Sequence, residues 1–314
     1  MQRGTGGPNN MPNGPLRIGI TFSSPMSVAY AFNQIILGDM FGGNPVRLNA
    51  LDTLSKECSK VRRLWALAAI RTALVAAAVG VTLAKTIDYC RVCQDHTMCR
   101  FKGMSQSCKS RMLSRGLRKG DIQLILYLHN KLRSRVALGR EFRGNQPPAA
   151  DMRKLVWDPE LATIAQRWVD QCTYAHDACR DLPTFQVGQN LFVIYGTEHD
   201  IKANWSSTVF SWYNEVEIFD ASNVKQFRSL GKTSHYTQMV AAATRTLGCG
   251  YAAWREGEAQ PVTSMYACNY GPSGNRFGRP LYLEGRACSQ CPPAHSCVSS
   301  LGLCQSDSGP SRGG

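Results

Sequence analysis

Two kinds of side chain in this 314-residue sequence could do chemistry, histidine and cysteine. His235 lies near the start of the stretch "TSHYTQMVAAATRTLGCGYA", beside hydroxyl and aromatic side chains where a short apolar helix begins. An imidazole in that setting can be a paired core histidine, a metal ligand or a catalytic base, and the residues alone leave all three open. The thirteen cysteines are unevenly placed: Cys58 stands alone, and the other twelve run from Cys90 to Cys304, downstream of a hydrophobic segment. "CRVC" at 90–93 and "CSQC" at 288–291 have the two-residue spacing of a zinc knuckle. A zinc ribbon, however, needs its partner pairs inside one compact unit. An even number beyond a secretory-type segment reads instead as six disulfides formed in an oxidising compartment.

The elements that must position these groups begin at residue 117. "GDIQLILYLHNKLRSRVALG" puts Ile122, Leu126, His129, Leu132 or Arg133, and Val136 on one helical stripe, with Asp121 as its N-cap. "WDPELATIAQRWVDQCTYAH" is a second helix, capped by Asp158, started by Pro159, and carrying Leu161, Ile164, Ala165, Trp168 and Cys172 at helical spacing. A third, "TVFSWYNEVEIF", places Val209, Trp212 and Val216 on one face with Glu215 close by. "VGQNLFVIY", "LGCGYAAW" and "SMYACNYGP" read as strands. Helices flanking a few mostly antiparallel strands make an α+β layered sandwich.

Upstream, residues 1–59 are an irregular extension, and 60–84 have the layout of a signal peptide. Lys60, Arg62 and Arg63 form its basic end, and Leu64 to Ala84 is apolar except for Arg71. The uninterrupted part from Thr72 is shorter than the ~20 residues that span a bilayer. Counting from Leu64 leaves a type II membrane anchor as the alternative. The long stretch ahead of this segment suggests translation from a later start, Met40 being the methionine close upstream. The net charge of +14 falls to 28 basic against 19 acidic residues from 85 onward. These charges form no basic run interleaved with aromatics, which favours anionic surfaces such as glycans or phospholipid and argues against nucleic acid.

Several phrases together resemble the CAP superfamily (cysteine-rich secretory, antigen 5, pathogenesis-related-1), and the arthropod antigen 5 branch most. They are "LHNKLRSRVALG" with His129, Asn130 and Arg133, "QCTYAHDACRDLPTFQVGQNL", "SHYTQMV" and "YACNYGPSGN". Two departures stand out: Ala241 occupies a position usually held by tryptophan, and Arg276 one usually apolar. A neighbour should fill the gap that Ala241 leaves. The resemblance implies a three-layer α-β-α sandwich over 117–284, preceded by a cysteine-containing segment (85–116). A short cysteine-rich tail (285–306) and a disordered end (307–314) follow. It also implies the pairings Cys90–Cys99, Cys93–Cys179, Cys108–Cys172 and Cys249–Cys268. Cys288, Cys291, Cys297 and Cys304 pair among themselves in one of three ways.

By the same resemblance His176 and His235 line a central cavity with Gln189 and Glu215, and the two histidines form a weak, non-obligatory Zn²⁺ site. Two neutral imidazoles can each offer a lone pair to zinc at ~2.0–2.1 Å, but catalytic zinc normally takes three protein ligands. The amide of Gln189 can neither act as a base nor balance a metal's charge. The implied function is therefore non-enzymatic: an extracellular, secreted, monomeric protein that binds small apolar ligands (sterol, fatty acid or eicosanoid) or modulates host factors. A zinc hydrolase built on His176, His235 and Glu215 is one alternative. A surface ligand for a receptor, glycan or membrane, acting through the tail, is another. Asn204 in "NWS" is the one glycosylation acceptor. His129 is a packed structural residue, Asn269 and Tyr270 pack locally at a strand end, and the "KGD" at 119–121 simply begins a helix.

Overall fold

The computed structural model describes residues 87–197, 201–228 and 231–308, together with Val61. The extension, the signal or anchor segment, Cys58 and the end beyond 308 lie outside those residues. Among the described residues no helix is long and apolar enough to cross a membrane. The chain from Ala84 onward is a compact unit of its own.

Three single-turn helices within 89–109 lead into strand β1 (Met112–Arg115) and helix α1 (Lys119–Ala137). Strand β2 (Val156–Trp157), helix α2 (Pro159–Val169), strand β3 (Gly188–Gly196) and helix α3 (Trp205–Tyr213) follow. Helix α4 (Ser234–Val240) precedes the long strands β4 (Thr246–Arg255) and β5 (Val262–Gly271), and the tail forms a hairpin of β6 (His295–Val298) and β7 (Leu303–Ser306). The sheet runs β1-β4-β5-β3, antiparallel throughout, with β2 added parallel to β4.

Two cores sandwich this sheet. Residues alternate between its faces along each strand. Leu247, Cys249, Tyr251, Tyr266, Cys268 and Tyr270 belong to the core that α1, α3 and α4 bury. Leu191, Ala252, Trp254, Met265 and Ala267 pack with Ala165, Trp168 and Val169 of α2 on the other face. Gly248 and Gly250 face α2: a Cβ would lie 2.1 Å from Ala162 N at the first and 2.5 Å from Gln166 N at the second. Helix α2 seats itself on bare β4 backbone, and this closes the third layer of the α-β-α sandwich.

Asp158 caps α2 as expected, its Oδ1 accepting from Glu160 N and Leu161 N at 2.9 and 3.1 Å. The helix stops at Val169, and Cys172 lies beyond it with φ of 53°. Its cysteine is thus placed by a turn and a disulfide rather than by helical spacing. In α1 the expected N-cap is also displaced. Asp121 is the third helical residue, and its Oδ2 accepts from the Arg118 N–H at 2.8 Å. That bond occupies the carboxylate of the "KGD" tripeptide. The buried stripe is Ile125, Leu128, His129, Leu132, Arg133 and Val136, with Ile122 and Leu126 only half-buried. Helix α3 ends at Tyr213, and Glu215 sits in the 3₁₀ turn that follows, Asn214–Ile218.

All twelve downstream cysteines are paired: Cys90–Cys99, Cys93–Cys179, Cys108–Cys172, Cys249–Cys268, Cys288–Cys297 and Cys291–Cys304. The last two resolve the tail's open connectivity. The tail docks on the sandwich: Cys304 exchanges backbone bonds with Met152 and Lys154, and Leu303 is fully buried. At Ala241 the space for a large ring is taken by the chain near Gly274, where a Cβ would approach Ala241 Cβ to 2.7 Å.

Candidate functional site

Four residues were expected to converge. The structure joins them as two pairs beside β3, the edge strand of the sheet. Consecutive strand residues point to opposite faces. Gln189 reaches His176, whereas its neighbour Asn190 donates to the His235 backbone carbonyl at 3.1 Å. The two histidines thus flank the edge of β3, and no hydrogen bond among the described residues joins one pair to the other.

The first pair is held by a chain of amides. Asn269 Nδ2 donates to the Leu161 carbonyl of α2 at 3.2 Å, which turns its oxygen towards β3. That Oδ1 accepts from Gln189 Nε2 at 3.1 Å, and the same nitrogen donates to Asp177 Oδ1 at 3.0 Å. Gln189 Oε1 is then left to accept from His176 Nδ1–H at 2.7 Å. An amide supplies both polarities, so it carries the orientation set by a buried carbonyl out to the imidazole. A glutamate here would face the Asp177 carboxylate and have no proton to give it.

The second pair serves a helix end. Thr233, at the N-cap of α4, makes no side-chain cap bond. Glu215 does this work from a distant element: its Oε2 accepts from His235 N and Tyr236 N, both at 3.0 Å. Its Oε1 accepts from His235 Nδ1–H at 2.6 Å. The positive end of the helix and the imidazole hold the carboxylate together. The His235 ring stacks on Trp212 at 6.3 Å and its side chain is 32% exposed.

Both imidazoles are therefore pinned with the proton on Nδ1, and neither Nε2 makes a hydrogen bond among the described residues. This is the outer-shell arrangement that presents a lone pair to a metal ion. The donor set offers zinc one imidazole nitrogen from each pair, on either side of β3. It does not extend to three ligands: among the described residues only the sulfurs of Cys288, Cys291 and Cys304 gather within 4.8 Å of one another. Those sulfurs are all in disulfides and offer no thiolate.

Behind the site lies a relay that sequence reading treated as local packing. His129 Nδ1 donates to the Ile125 carbonyl at 2.8 Å, and its Nε2 accepts from the Tyr270 hydroxyl at 3.0 Å. Asn190 Nδ2 donates to the same hydroxyl at 3.2 Å as well as to His235. Helix α1 and two strands are thereby tied through buried polar atoms, and the α4 backbone through a part-buried bond. Their signal in the sequence is the polar "NY" inside the apolar "YACNYGP". Burial holds the His129 pKa down to about 4. The unfolded chain binds this proton below ~6.5 and the folded chain does not, so stability falls as pH drops from ~6.5 to 4. In urea titrations across that range the wild type should lose about 3 kcal/mol through this group. A His129→Gln variant should show a correspondingly flatter dependence, and an unchanged slope would remove His129 as its source.

A separate groove opens between α1, β2 and the tail. It has a volume of about 680 Å³ and is lined by Leu126, Val156, Trp157 and Leu301. Lys131 and Lys154 also line it; one ammonium lies 5.5 Å over the Tyr127 ring and the other donates to Gln305 Oε1 at 2.8 Å. Asn204 is exposed, and its Oδ1 caps α3 by accepting from Ser207 N at 3.0 Å.

The model of the family described as "CAP: Cysteine-rich secretory protein family" matches residues 126–270. A protein of Trittame loki described as "CRISP/Allergen/PR-1" is 39% identical over 228 residues, 69% of this chain and 55% of that protein. "Venom allergen 5" of Vespula maculifrons is 38% identical over 217 residues, 67% of this chain and 94% of that one. The crystal structure of Na-ASP-1 matches with a TM-score of 0.52 at 31% identity, covering 64% of this chain and 50% of that one. The chain thus spans little more than half the length of the Trittame relative and nearly all of the Vespula one.

Proposed function

From the premise that this chain belongs to the CAP family of cysteine-rich secretory proteins and is venom allergen 5-like, we propose that it is a secreted, non-enzymatic binding protein for small apolar ligands. Sterols, fatty acids and eicosanoids are the ligand classes in view. The observation that carries this reading is the groove of about 680 Å³ between α1 and β2, walled by Leu126, Val156, Trp157 and Leu301. A mostly apolar concave site with a few polar groups at its rim is the usual form of a small-molecule pocket. Six disulfides keep such a groove open and suit an extracellular protein. An N-glycan on Nδ2 of Asn204 would leave the α3 cap intact, since the cap uses Oδ1.

The hydrolase alternative is weaker because its groups are already committed. Glu215 spends both oxygens on α4 and His235, and Gln189 is an orienting amide. A zinc ion, when bound, would be held by His176 and His235 and would supply a local positive charge. Glu215 and Gln189 hold those two rings by Nδ1, which leaves each Nε2 turned away from its partner.

The test is native mass spectrometry of residues 85–314 made in an oxidising host, before and after organic extraction, followed by re-binding of a fatty acid and a sterol. The expected result is a carried or re-bound apolar ligand on protein with twelve oxidised cysteines. Val156→Trp, which fills the groove, should weaken re-binding at least about tenfold. Uptake by neither form, or equal uptake by both, would remove the groove from the account.

A further inference from the structure

Two loops far apart in sequence meet as a paired segment beyond α4. Leu281 N donates to Val224 O, Phe227 N to Arg279 O and Gly278 N to Phe227 O, each at 2.9 Å. Phe227 is buried and anchors the pair, and its ring meets that of Phe277 at 5.6 Å. Arg276–Arg279 is a tight turn, closed by the Arg279 N–H to the Arg276 carbonyl at 3.1 Å, with Gly278 at φ of 73°. Phe277 therefore stands at the turn's tip, 61% exposed, between two arginines.

The pairing also brings Lys225 and Arg228 alongside, so that four exposed cations lie on the same paired segment as one exposed ring. Among the described residues Glu284 is the one carboxylate paired with any of them, at 3.5 Å from a Lys225 ammonium that is 77% exposed. A pair so open to water neutralises little. Arg228 leans on the neutral Gln226. The surface is cationic and apolar at its tip, held rigid by main-chain bonds.

We propose that this face, Lys225, Arg228, Arg276 and Arg279 with Phe277, docks on an anionic phospholipid surface. The cations meet headgroup phosphates and carboxylates, while the ring enters the interface, where an aromatic side chain gains by leaving water. A sulfated glycan would satisfy the cations but offer the ring nothing apolar, which is why the membrane is preferred. This docking does not depend on the groove. It also gives a use to Arg276, which stands where the family pattern usually has an apolar residue.

The experiment is co-sedimentation with phosphatidylcholine vesicles, with and without phosphatidylserine. Residues 85–314 are used because that compact unit holds its own core and all six disulfides, and the apolar stretch 64–84 would bind vesicles itself. The expected result is binding that needs phosphatidylserine and weakens with added sodium chloride. Arg276→Gln/Arg279→Gln should bind about 30-fold more weakly, at the usual value of each juxtamembrane cation. Phe277→Ala should bind about tenfold more weakly. Lys102→Gln/Lys109→Gln, two exposed cations on the N-terminal segment, should bind like the wild type. Equal weakening by that remote pair would reduce the effect to net charge and overturn the proposal. So would wild-type failure on vesicles together with retention on heparin, which would assign the face to a glycan.

Discussion

Arg133→Met should cost this protein more stability than any other single exchange in α1. The guanidinium is fully buried, with no exposed surface at all. It donates to five backbone carbonyls: Arg153 through two nitrogens at 2.9 and 2.7 Å, Met239 at 2.8 Å, Ala241 at 2.9 Å, Thr244 at 3.1 Å and Ala242 at 3.5 Å. Burial pulls its pKa down to about 9, yet it remains charged at neutral pH. These carbonyls belong to the chain before β2, to the end of α4 and to the turn that follows it, so one side chain fixes these connections to α1. Methionine fills much of the volume but leaves the acceptors without donors. A buried charge network broken on one side typically loses about 3–5 kcal/mol. That is a large share of a domain's total stability of ~5–15 kcal/mol. Urea denaturation at neutral pH measures it. Arg133→Lys, with a compact ammonium in place of the planar fork, should recover part of the loss. If the methionine variant unfolds at the wild-type midpoint, the arginine is not the clasp its contacts describe.

The second large effect is expected from Cys93→Ser/Cys179→Ser. This disulfide closes a sequence separation of 86 residues, the longest of the six. Because Cys108–Cys172 lies inside that span and stays closed, the loop constrained in the unfolded chain is roughly 23 residues, worth about 3.5 kcal/mol. By the same reckoning the tail bridge Cys288–Cys297, with a separation of 9, is worth about 2.5 kcal/mol. The double variants should rank in that order by denaturant midpoint without reductant, and the reverse order would refute loop closure as their main contribution. The longer bridge also has a local duty. Around it Thr97 N donates to Cys179 O at 2.9 Å, and the Thr97 hydroxyl donates to Asp177. Asp177 in turn holds Gln189, which holds His176. Cutting Cys93–Cys179 should therefore also loosen His176, seen as a shift of its imidazole resonances while those of His235 stay in place.

Most of the sandwich was legible from short-range patterns. Asp158 and Pro159 marked the start of α2 because a cap and a fixed φ act within one turn. The strands were legible as short apolar runs bounded by turn residues. The errors came where a contact crossed the fold. The stripe of α1 held from His129 to Val136, but its first half was misplaced because periodicity alone does not rank Ile125 and Leu128 above Ile122 and Leu126. Asp121 was shifted from N-cap to third residue because its carboxylate turns back to Arg118. Cys172 was counted into α2 because its spacing fits, while its bond to Cys108 holds it in a left-handed turn.

The candidate site shows the same division. Taken alone, the residues around His235 left its role open, and the motifs named His176, Gln189, Glu215 and His235. Their grouping into two pairs came from the pleat of β3, which sends Gln189 and Asn190 to opposite faces. Glu215 caps a helix that begins nineteen residues later, and no local cap signal points to it. The basic face joins residues 225–228 to 276–279, two short stretches that look like ordinary solvated loops when read in order. Composition and spacing by themselves determined the elements and the six-disulfide count, because those are written in near neighbours along the chain, and the family resemblance named the candidate ligands. Which atoms those side chains meet, and so whether a histidine is pinned, a carboxylate occupied or a surface cationic, only the tertiary structure decided. Such contacts depend on distances in space that no local pattern records.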